Sequence, residues 1–194
     1  MVNDLNSYLP TPTKRKFAAT FSVVRPISFW LQLALSAVSF LALFLAIFSR
    51  NATVQTTTQT TTNSVMGFGV FLGIIGLLVV SFRLYWVNRY RRLDKILQSP
   101  ARELHPRKED VIQVLQIGLI VSLVGLLLAF LASEVAVIAV LSKILALPQT
   151  VAVYRPENVI RPLDIFVVLA NVNLIGAHLV GVATSFGLLN WLDQ

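Results

Sequence analysis

The sequence contains no cysteine, which excludes disulfide-stabilised folds, thiolate metal centres and cysteine nucleophiles. Charge is also scarce, because only 13% of the 194 residues are charged, against about 25% in ordinary soluble domains. Apolar residues make up 56% of the chain and form runs long enough to cross a bilayer. The composition therefore predicts an integral membrane protein.

Acidic residues are the scarcer of the two charged classes, nine against sixteen basic ones, which gives a net charge of +7. The basic residues flank the hydrophobic runs, an arrangement that orients membrane proteins and attracts anionic lipid. We therefore expect the lipid bilayer as a partner, with anionic lipid at the basic connector after the second run, and no nucleic acid.

The hydrophobic runs predict an all-α polytopic membrane protein with four transmembrane helices. The spans are placed at about 26–49, 65–87, 111–133 and 163–191, in a single domain at 26–192 that follows a basic cytoplasmic tail at 1–25. Pro26 suits the first turn of the first helix, and Arg83 is expected to extend its side chain to the interface. The apolar segment 134–147 has three open alternatives: it prolongs the third helix, lies along the interface or re-enters the membrane.

The distribution of basic residues predicts that both termini lie on the cytoplasmic side. Four precede Pro26 and seven lie in the connector, including Arg91 and Arg92, against one and three in the other two loops. Trp30, Trp86 and Trp191 would all lie at that same interface, as expected for an aromatic belt.

Small residues recur every three or four positions in the second and third spans. The series are Gly69, Gly73 and Gly76 in one helix and Gly118, Ser122, Gly125 and Ala129 in the other. Such spacing lets two helix backbones approach closely, so we interpret these residues mainly as packing positions, with hinges or a substrate groove as the alternative.

The last span carries an unusual number of polar residues. Asp164, Asn171, His178 and Ser185 are each seven positions apart, so they fall on one side of the helix, while Asn173 lies off that line and is assigned to packing. Asp164 and His178 would stand about 21 Å apart on one helix, so they cannot share a metal within one subunit.

Two interpretations of this stripe remain open. In the first it is a seam of hydrogen bonds between helices, with Gln32, Ser36 and Ser122 as possible partners. In the second it is a path for a cation, proton or other polar solute, with His178 near the midplane as the strongest candidate.

Asp164, at the start of the last span, and Glu134, at the end of the third, each have more than one predicted role. Asp164 suits the role of a helix cap better than that of an ion ligand, because it follows Pro162 at the helix start. If Glu134 converges with Asp164, the pair would capture a cation at the mouth of the path; otherwise Lys143, Arg155 or Arg161 would neutralise the acids. No catalytic or metalloenzyme spacing occurs, so we expect no enzyme and no cofactor, and the sequence assigns no metal ligand.

Three stretches, "RPISFWLQL", "EDVIQVLQIGLIVSLVG" and "LDIFVVLANVNLIGAHLVG", resemble the small four-span subunit of the translocon at the inner chloroplast envelope. That family, also described as a permease in chloroplasts, has cyanobacterial relatives, and the resemblance covers roughly Arg25 to Leu189. The residues of this sequence to which the resemblance extends are Phe29, Trp30, Gln32, Asp164, Asn173, His178 and Gly181. The N-terminal tail is short and stands where a plastid member would carry a transit sequence, so the chain resembles the cyanobacterial members of the family. The resemblance therefore implies a cyanobacterial plasma or thylakoid membrane.

The resemblance implies two roles, iron transport and participation in protein import. Our leading hypothesis is an oligomeric permease for ferrous or another divalent cation, in which His178 side chains meet around a symmetry axis or a facing helix adds ligands. The rival hypothesis is a non-catalytic structural or assembly subunit of a translocon or photosynthetic membrane complex.

Overall fold

The computed structural model describes residues 11–53, 61–89, 108–145 and 162–192, and side-chain surroundings for somewhat shorter stretches within them. Each range is one helix: α1 Thr11–Thr53, α2 Thr61–Arg89, α3 Lys108–Leu145 and α4 Pro162–Leu192. All four contain an apolar segment long enough to span a membrane, and the described residues include no strand. The protein is therefore an all-α membrane protein with four membrane-length helices.

The apolar segments are Ser22–Phe48, Val65–Val87, Ile112–Leu145 and Asp164–Asn190. α1 begins at Thr11 and continues through Pro26, so the prediction that Pro26 lies in the first helical turn is wrong. Proline has no N–H to donate to the preceding turn, but α1 remains helical on both sides of it. Much of the predicted tail is thus an extension of α1.

α3 settles the alternatives for the apolar segment after residue 133, because it continues without interruption to Leu145. Its apolar part has 34 residues, about 50 Å at 1.5 Å per residue, which exceeds a hydrocarbon core of about 30 Å. α3 must therefore tilt or project from the bilayer. Residues 146 and 147 lie outside the described part of the chain.

The helices run alternately up and down, so the bundle has two distinct ends. At the connector end α1 and α3 begin and α2 and α4 finish; the opposite end is called the far end here. α4 packs along α1 on one side and α3 on the other, α2 packs mainly along α3, and α1 and α2 touch less extensively. α4 therefore makes the most extensive contacts with the other helices.

Small side chains allow this close packing on α3, where four alanines are fully buried. They are Ala129, Ala132, Ala136 and Ala139. At Gly69 on α2, a Cβ would stand 3.5 Å from the backbone of α3 at Ala132 and Ala136, an ordinary contact that leaves no space for a larger side chain. The two helices thus approach nearly backbone to backbone, as small residues permit in membranes.

The outside of the bundle is apolar, as it is in proteins whose solvent is lipid. Side chains more than half exposed include Phe44, Phe48, Leu127, Leu179 and Phe186. Polar side chains are instead concentrated in the interior, which is where the candidate site lies.

Candidate functional site

The polar stripe of α4 faces the interior of the bundle. Asp164, Asn171, His178 and Ser185 are all buried, whereas Asn173 is only half-buried. The seven-residue spacing keeps the four on one side of α4 for the length of the helix. The stripe therefore faces the other helices, and its layers differ in how their polar groups are paired.

Arg83 lies inside the bundle near the connector end, so the expectation that its side chain extends to the interface is wrong. It is 4% exposed and donates hydrogen bonds to all three other helices. Nη1 donates to the Gln32 side-chain carbonyl on α1, and Nε donates to the Gly118 carbonyl on α3 at 3.4 Å. Nη2 donates to the Gly181 carbonyl at 2.8 Å and to the Ser185 hydroxyl at 3.3 Å on α4.

Arg83 fits there because the facing position of α4 has no side chain. A Cβ at Gly181 would stand 2.6 Å from the Arg83 Cζ and 2.7 Å from the Ser122 hydroxyl, which is too close for either neighbour. Polar acceptors from the surrounding helices then replace the water that the guanidinium loses on burial. Gly181 thus leaves space for the Arg83 guanidinium, and the hydrogen-bond acceptors around it offset the cost of burying its charge.

Hydroxyl groups extend this arrangement on α1 and α4. The Gln32 amide donates to the Ser28 hydroxyl at 2.7 Å, and Thr184 donates to the same hydroxyl at 2.9 Å. Together with Arg83 and Ser185, these residues form what we call the Arg83 cluster: Ser28, Gln32, Arg83, Thr184 and Ser185. Ser36 and Ser122, expected as partners across helices, donate instead to carbonyls of their own helices, Gln32 and Gly118.

His178 is fully buried in the middle of the bundle. Its Nε2 lies 3.3 Å from the Gly76 carbonyl on α2, and its ring lies against Gly125 on α3, where a Cβ would overlap the ring. Nδ1 has no hydrogen-bond partner among the described residues. Because the imidazole is enclosed within one chain, His178 side chains from several subunits cannot meet around a symmetry axis, so that part of the hypothesis is wrong.

Asn171 is also fully buried, one layer nearer the far end. Neither its Oδ1 nor its Nδ2 has a hydrogen-bond partner within the described ranges. Oδ1 points at Gly73 on α2, where a Cβ would stand only 2.6 Å away. The α1–α4 hydrogen bond in this region is made by Ser39, which donates to the Ala170 carbonyl at 2.9 Å. Asn171 is thus inside the bundle but does not hold helices together.

An apolar layer separates the two central polar residues. Leu174 lies between Asn171 and His178 on the same side of α4, and it packs with Val80 and Ala129 in one buried cluster. The polar stripe is therefore interrupted in this conformation rather than forming a continuous channel.

The far end of the stripe is closed by an ion pair. Lys143 Nζ on α3 lies 2.6 Å from Asp164 Oδ2 in the first turn of α4, with both side chains about nine-tenths buried. Lys143 therefore neutralises Asp164, one of the alternatives that the sequence leaves open. Arg155 and Arg161 lie outside the described residues.

Glu134 does not converge with Asp164. It is exposed on the outer surface of α3, nine residues before Lys143, which corresponds to about 14 Å along the helix. The proposed cation-capturing pair at the mouth is therefore wrong, because α3 continues as a helix and its turn carries Glu134 to the outside. In the part of the chain that the structure describes, no three metal-binding side chains gather.

The predicted interface tryptophans differ in their surroundings. Trp30 is 68% exposed, and Trp86 is half-buried with its ring stacked on Phe82 at a centroid distance of 5.9 Å. Trp191 belongs to α4, but its side chain lies outside the described set, as do Arg91 and Arg92. Both described tryptophans lie at the connector end.

The packing glycines all lie in the interior. Gly69, Gly73 and Gly76 on α2 are buried, as are Gly118, Ser122 and Gly125 on α3, and several of them adjoin polar residues of α4. Arg83 lies seven positions after Gly76, on the same side of α2, which is the sequence signal that would have placed it inside.

A family model described as "Protein of unknown function (DUF3611)" matches residues 11–193, nearly the whole chain. No curated protein and no solved structure matches the chain.

Proposed function

The chain belongs to the DUF3611 family, and we propose that it is a permease-like membrane component whose transport path follows the interior side of α4. One observation carries this proposal. Asn171 and His178 lie fully buried in the middle of a membrane span, and three of their polar atoms have no hydrogen-bond partner in the described residues.

The cost of such groups is the physical argument for a function. A buried polar group without a partner destabilises a protein by about 1–3 kcal/mol, and lipid offers no water to reduce the cost. Native proteins pair nearly all such groups, so an exception calls for a water, an ion or a working role. Asn171 and His178 therefore fit a path that hydrates or binds a solute during transport better than a purely structural seam.

The ends of the path fit a closed conformation. The Arg83 cluster occupies the connector end, the Lys143–Asp164 ion pair occupies the far end, and Leu174 separates the central polar residues. Transport would then require each end to open in turn, with Leu174 moving aside. Each chain would carry its own path, because His178 faces α2 and α3 of the same subunit.

The cargo follows from the family resemblance, which implies iron. We propose ferrous iron or another divalent cation, crossing a cyanobacterial plasma or thylakoid membrane or a plastid-type membrane. The His178 Nδ1 and the Asn171 Oδ1 supply unused ligand atoms, but they lie about 10 Å apart along α4. They suit successive contacts during passage rather than one fixed metal site.

Radioactive iron uptake tests this proposal. The full chain is reconstituted in liposomes, and anaerobic ⁵⁵Fe²⁺ uptake is compared for the wild type, His178→Ala and the control Asn173→Ala, which changes a half-buried residue of the same helix. We expect His178→Ala to lose most of the flux and Asn173→Ala to retain it. Equal flux in all three would contradict the role of His178, and no protein-dependent flux would contradict the permease.

The alternative, a structural or assembly subunit of a membrane complex, is favoured by a different observation. Glu134 is exposed among the exposed apolar side chains Leu131, Val137 and Ile138, within the apolar part of α3. An acid facing lipid is costly, so a neighbouring subunit that covers it would stabilise the protein. Native mass analysis after gentle detergent extraction tests this, and a stoichiometric hetero-complex that Glu134→Gln weakens would favour assembly over transport.

We also propose that the basic connector attracts anionic lipid. Its excess of positive charge supports this, although residues 90–107 lie outside the described ranges. The full chain should associate with phosphatidylglycerol bilayers more than with neutral ones, and the preference should fade as salt screens the charge.

A further inference from the structure

The charge of Arg83 has no described counter-ion. Its four hydrogen bonds end on two backbone carbonyls, one amide carbonyl and one hydroxyl, all of them neutral. Among the residues whose side chains the structure describes, the acids are Asp164, which pairs with Lys143 at the far end, and Glu134, which faces outward. Asp164 is also about 32 Å along α4 from Ser185, far beyond the reach of Arg83.

The Arg83 cluster also has hydrogen-bond donors to spare. A guanidinium carries five N–H donors, and Arg83 uses four of them on described partners. The Ser185 hydroxyl accepts a bond from Arg83 and donates none within the described chain. A positive charge without a counter-ion among the described side chains, and with unused donors, is chemically complementary to an oxyanion.

Two of the existing bonds are long enough to be exchanged. Arg83 Nε to the Gly118 carbonyl is 3.4 Å and Nη2 to the Ser185 hydroxyl is 3.3 Å, whereas Nη2 to the Gly181 carbonyl is 2.8 Å. Bonds at the upper end of the distance range are weak, and an ionised acceptor forms stronger ones. A planar carboxylate that met the Nε and Nη2 edge would replace both with shorter charge-assisted bonds.

We propose that the Arg83 cluster is a binding site for an oxyanion, and specifically for a carboxylate or phosphate group. The inference deepens the proposed function, on which it rests for the cargo: the species that passes the connector end carries negative charge, for example a divalent cation complexed by a carboxylate ligand. A bare cation meets a buried positive charge at this layer, so we expect it to cross more slowly than its anionic complex.

Equilibrium dialysis of the full chain in a neutral, phosphate-free detergent tests the binding site. Radiolabelled citrate and inorganic phosphate are the two probes, and they distinguish the carboxylate from the phosphate. The variants are Arg83→Gln, Arg83→Lys and the control Arg25→Gln, which removes one positive charge from a half-buried position on α1. Each variant is checked for helicity and thermal unfolding before binding is measured.

We expect the wild type to bind at least one of the two probes, and Arg25→Gln to bind that probe with the same affinity. Arg83→Gln should bind it at least tenfold more weakly, as an order-of-magnitude expectation of about 1.4 kcal/mol for the loss of charge-assisted hydrogen bonds. Arg83→Lys keeps the charge but loses the planar fork, so its binding should also fall. If Arg83→Gln does not fold, Arg83→Lys decides the question, since wild-type affinity in that variant would overturn the inference. Absence of binding of both probes to the wild type would overturn it as well.

Uptake separates this inference from the permease. In neutral-lipid proteoliposomes, ⁵⁵Fe²⁺ is offered with and without citrate, and we expect flux to rise with citrate in the wild type but not in Arg83→Gln. If the protein binds a probe but takes up no iron, the oxyanion site would be supported and the permease would be contradicted. Flux of iron without citrate that equals flux with citrate would retain the permease and overturn the proposed cargo.

Discussion

Arg83 and Gln32 are 51 positions apart in the sequence, and the Arg83 guanidinium donates a hydrogen bond to the Gln32 amide carbonyl inside the bundle. The contact joins α1 and α2, which touch much less extensively than α1 and α4 do. It gives a buried charge one of its few side-chain acceptors, so the bundle should be sensitive to its loss.

Gln32→Leu should lower the free energy of unfolding by about 1.5–3 kcal/mol, because it removes the acceptor from a charged donor and cannot replace it with water. Unfolding by sodium dodecyl sulfate in mixed micelles, followed by circular dichroism, measures the change. Ser81→Ala is the control, since Ser81 is exposed and bonds only its own helix at Leu77, and it should stay within about 0.5 kcal/mol of wild type. If the two substitutions changed the free energy of unfolding equally, the hydrogen bond between Arg83 and Gln32 would not contribute to the stability of the bundle.

Gly125→Ala should destabilise the bundle by about 1–3 kcal/mol, because the new Cβ overlaps the His178 ring. His178→Ala removes the ring and makes room, so the double variant should cost less than the sum of the two single changes. A double-mutant cycle in the same unfolding assay measures this coupling. Additive costs would contradict the contact between Gly125 and His178.

Lys143→Met and Asp164→Leu should each destabilise the protein by about 1–3 kcal/mol, because each removes the oppositely charged member of a buried ion pair. The double variant removes both charges and should recover most of the loss. Melting temperatures of the four proteins in one detergent give the comparison. A double variant less stable than either single one would mean that the ion pair does not hold the far end.

Asn171→Leu should stabilise the protein by about 1–3 kcal/mol while reducing transport. The amide has no described hydrogen-bond partner to lose, and an apolar side chain with the same number of heavy atoms suits its surroundings better. Unfolding and ⁵⁵Fe²⁺ uptake are measured on the same preparations. A destabilised Asn171→Leu would indicate that the amide has a structural partner, which would favour the seam over the path.

The sequence predicts the helices and the alignment of the polar stripe on one side of α4 because both depend on local periodicity. Runs of apolar residues give the spans, and seven-residue spacing aligns Asp164, Asn171, His178 and Ser185 whatever the neighbouring helices do. The structure then shows that all four face protein.

The sequence does not predict which way a long side chain points or where an apolar helix ends. The spacing from Gly76 indicates which side of α2 carries Arg83. The side chain remains inside because Gly181, on another helix, leaves the space and Gln32 accepts a bond, and neither condition is visible in α2 alone. Glu134 suggests a helix end, but the apolar residues after it keep α3 helical to Leu145 and the charge stays outside. The error at Arg83 comes from contacts between helices, whereas the error at Glu134 comes from taking a charged residue as the end of a helix that continues.

The most direct test of a polar path along α4 uses the absence of cysteine from the natural chain. Single cysteines at Asn171, Ser185 and the outward-facing Leu179 are treated in proteoliposomes with a water-soluble, membrane-impermeant thiol reagent during iron transport. The path predicts labelling at positions 171 and 185 and none at 179. Absence of labelling at 171 and 185, in folded protein that takes up iron, would contradict a path through the interior of the bundle.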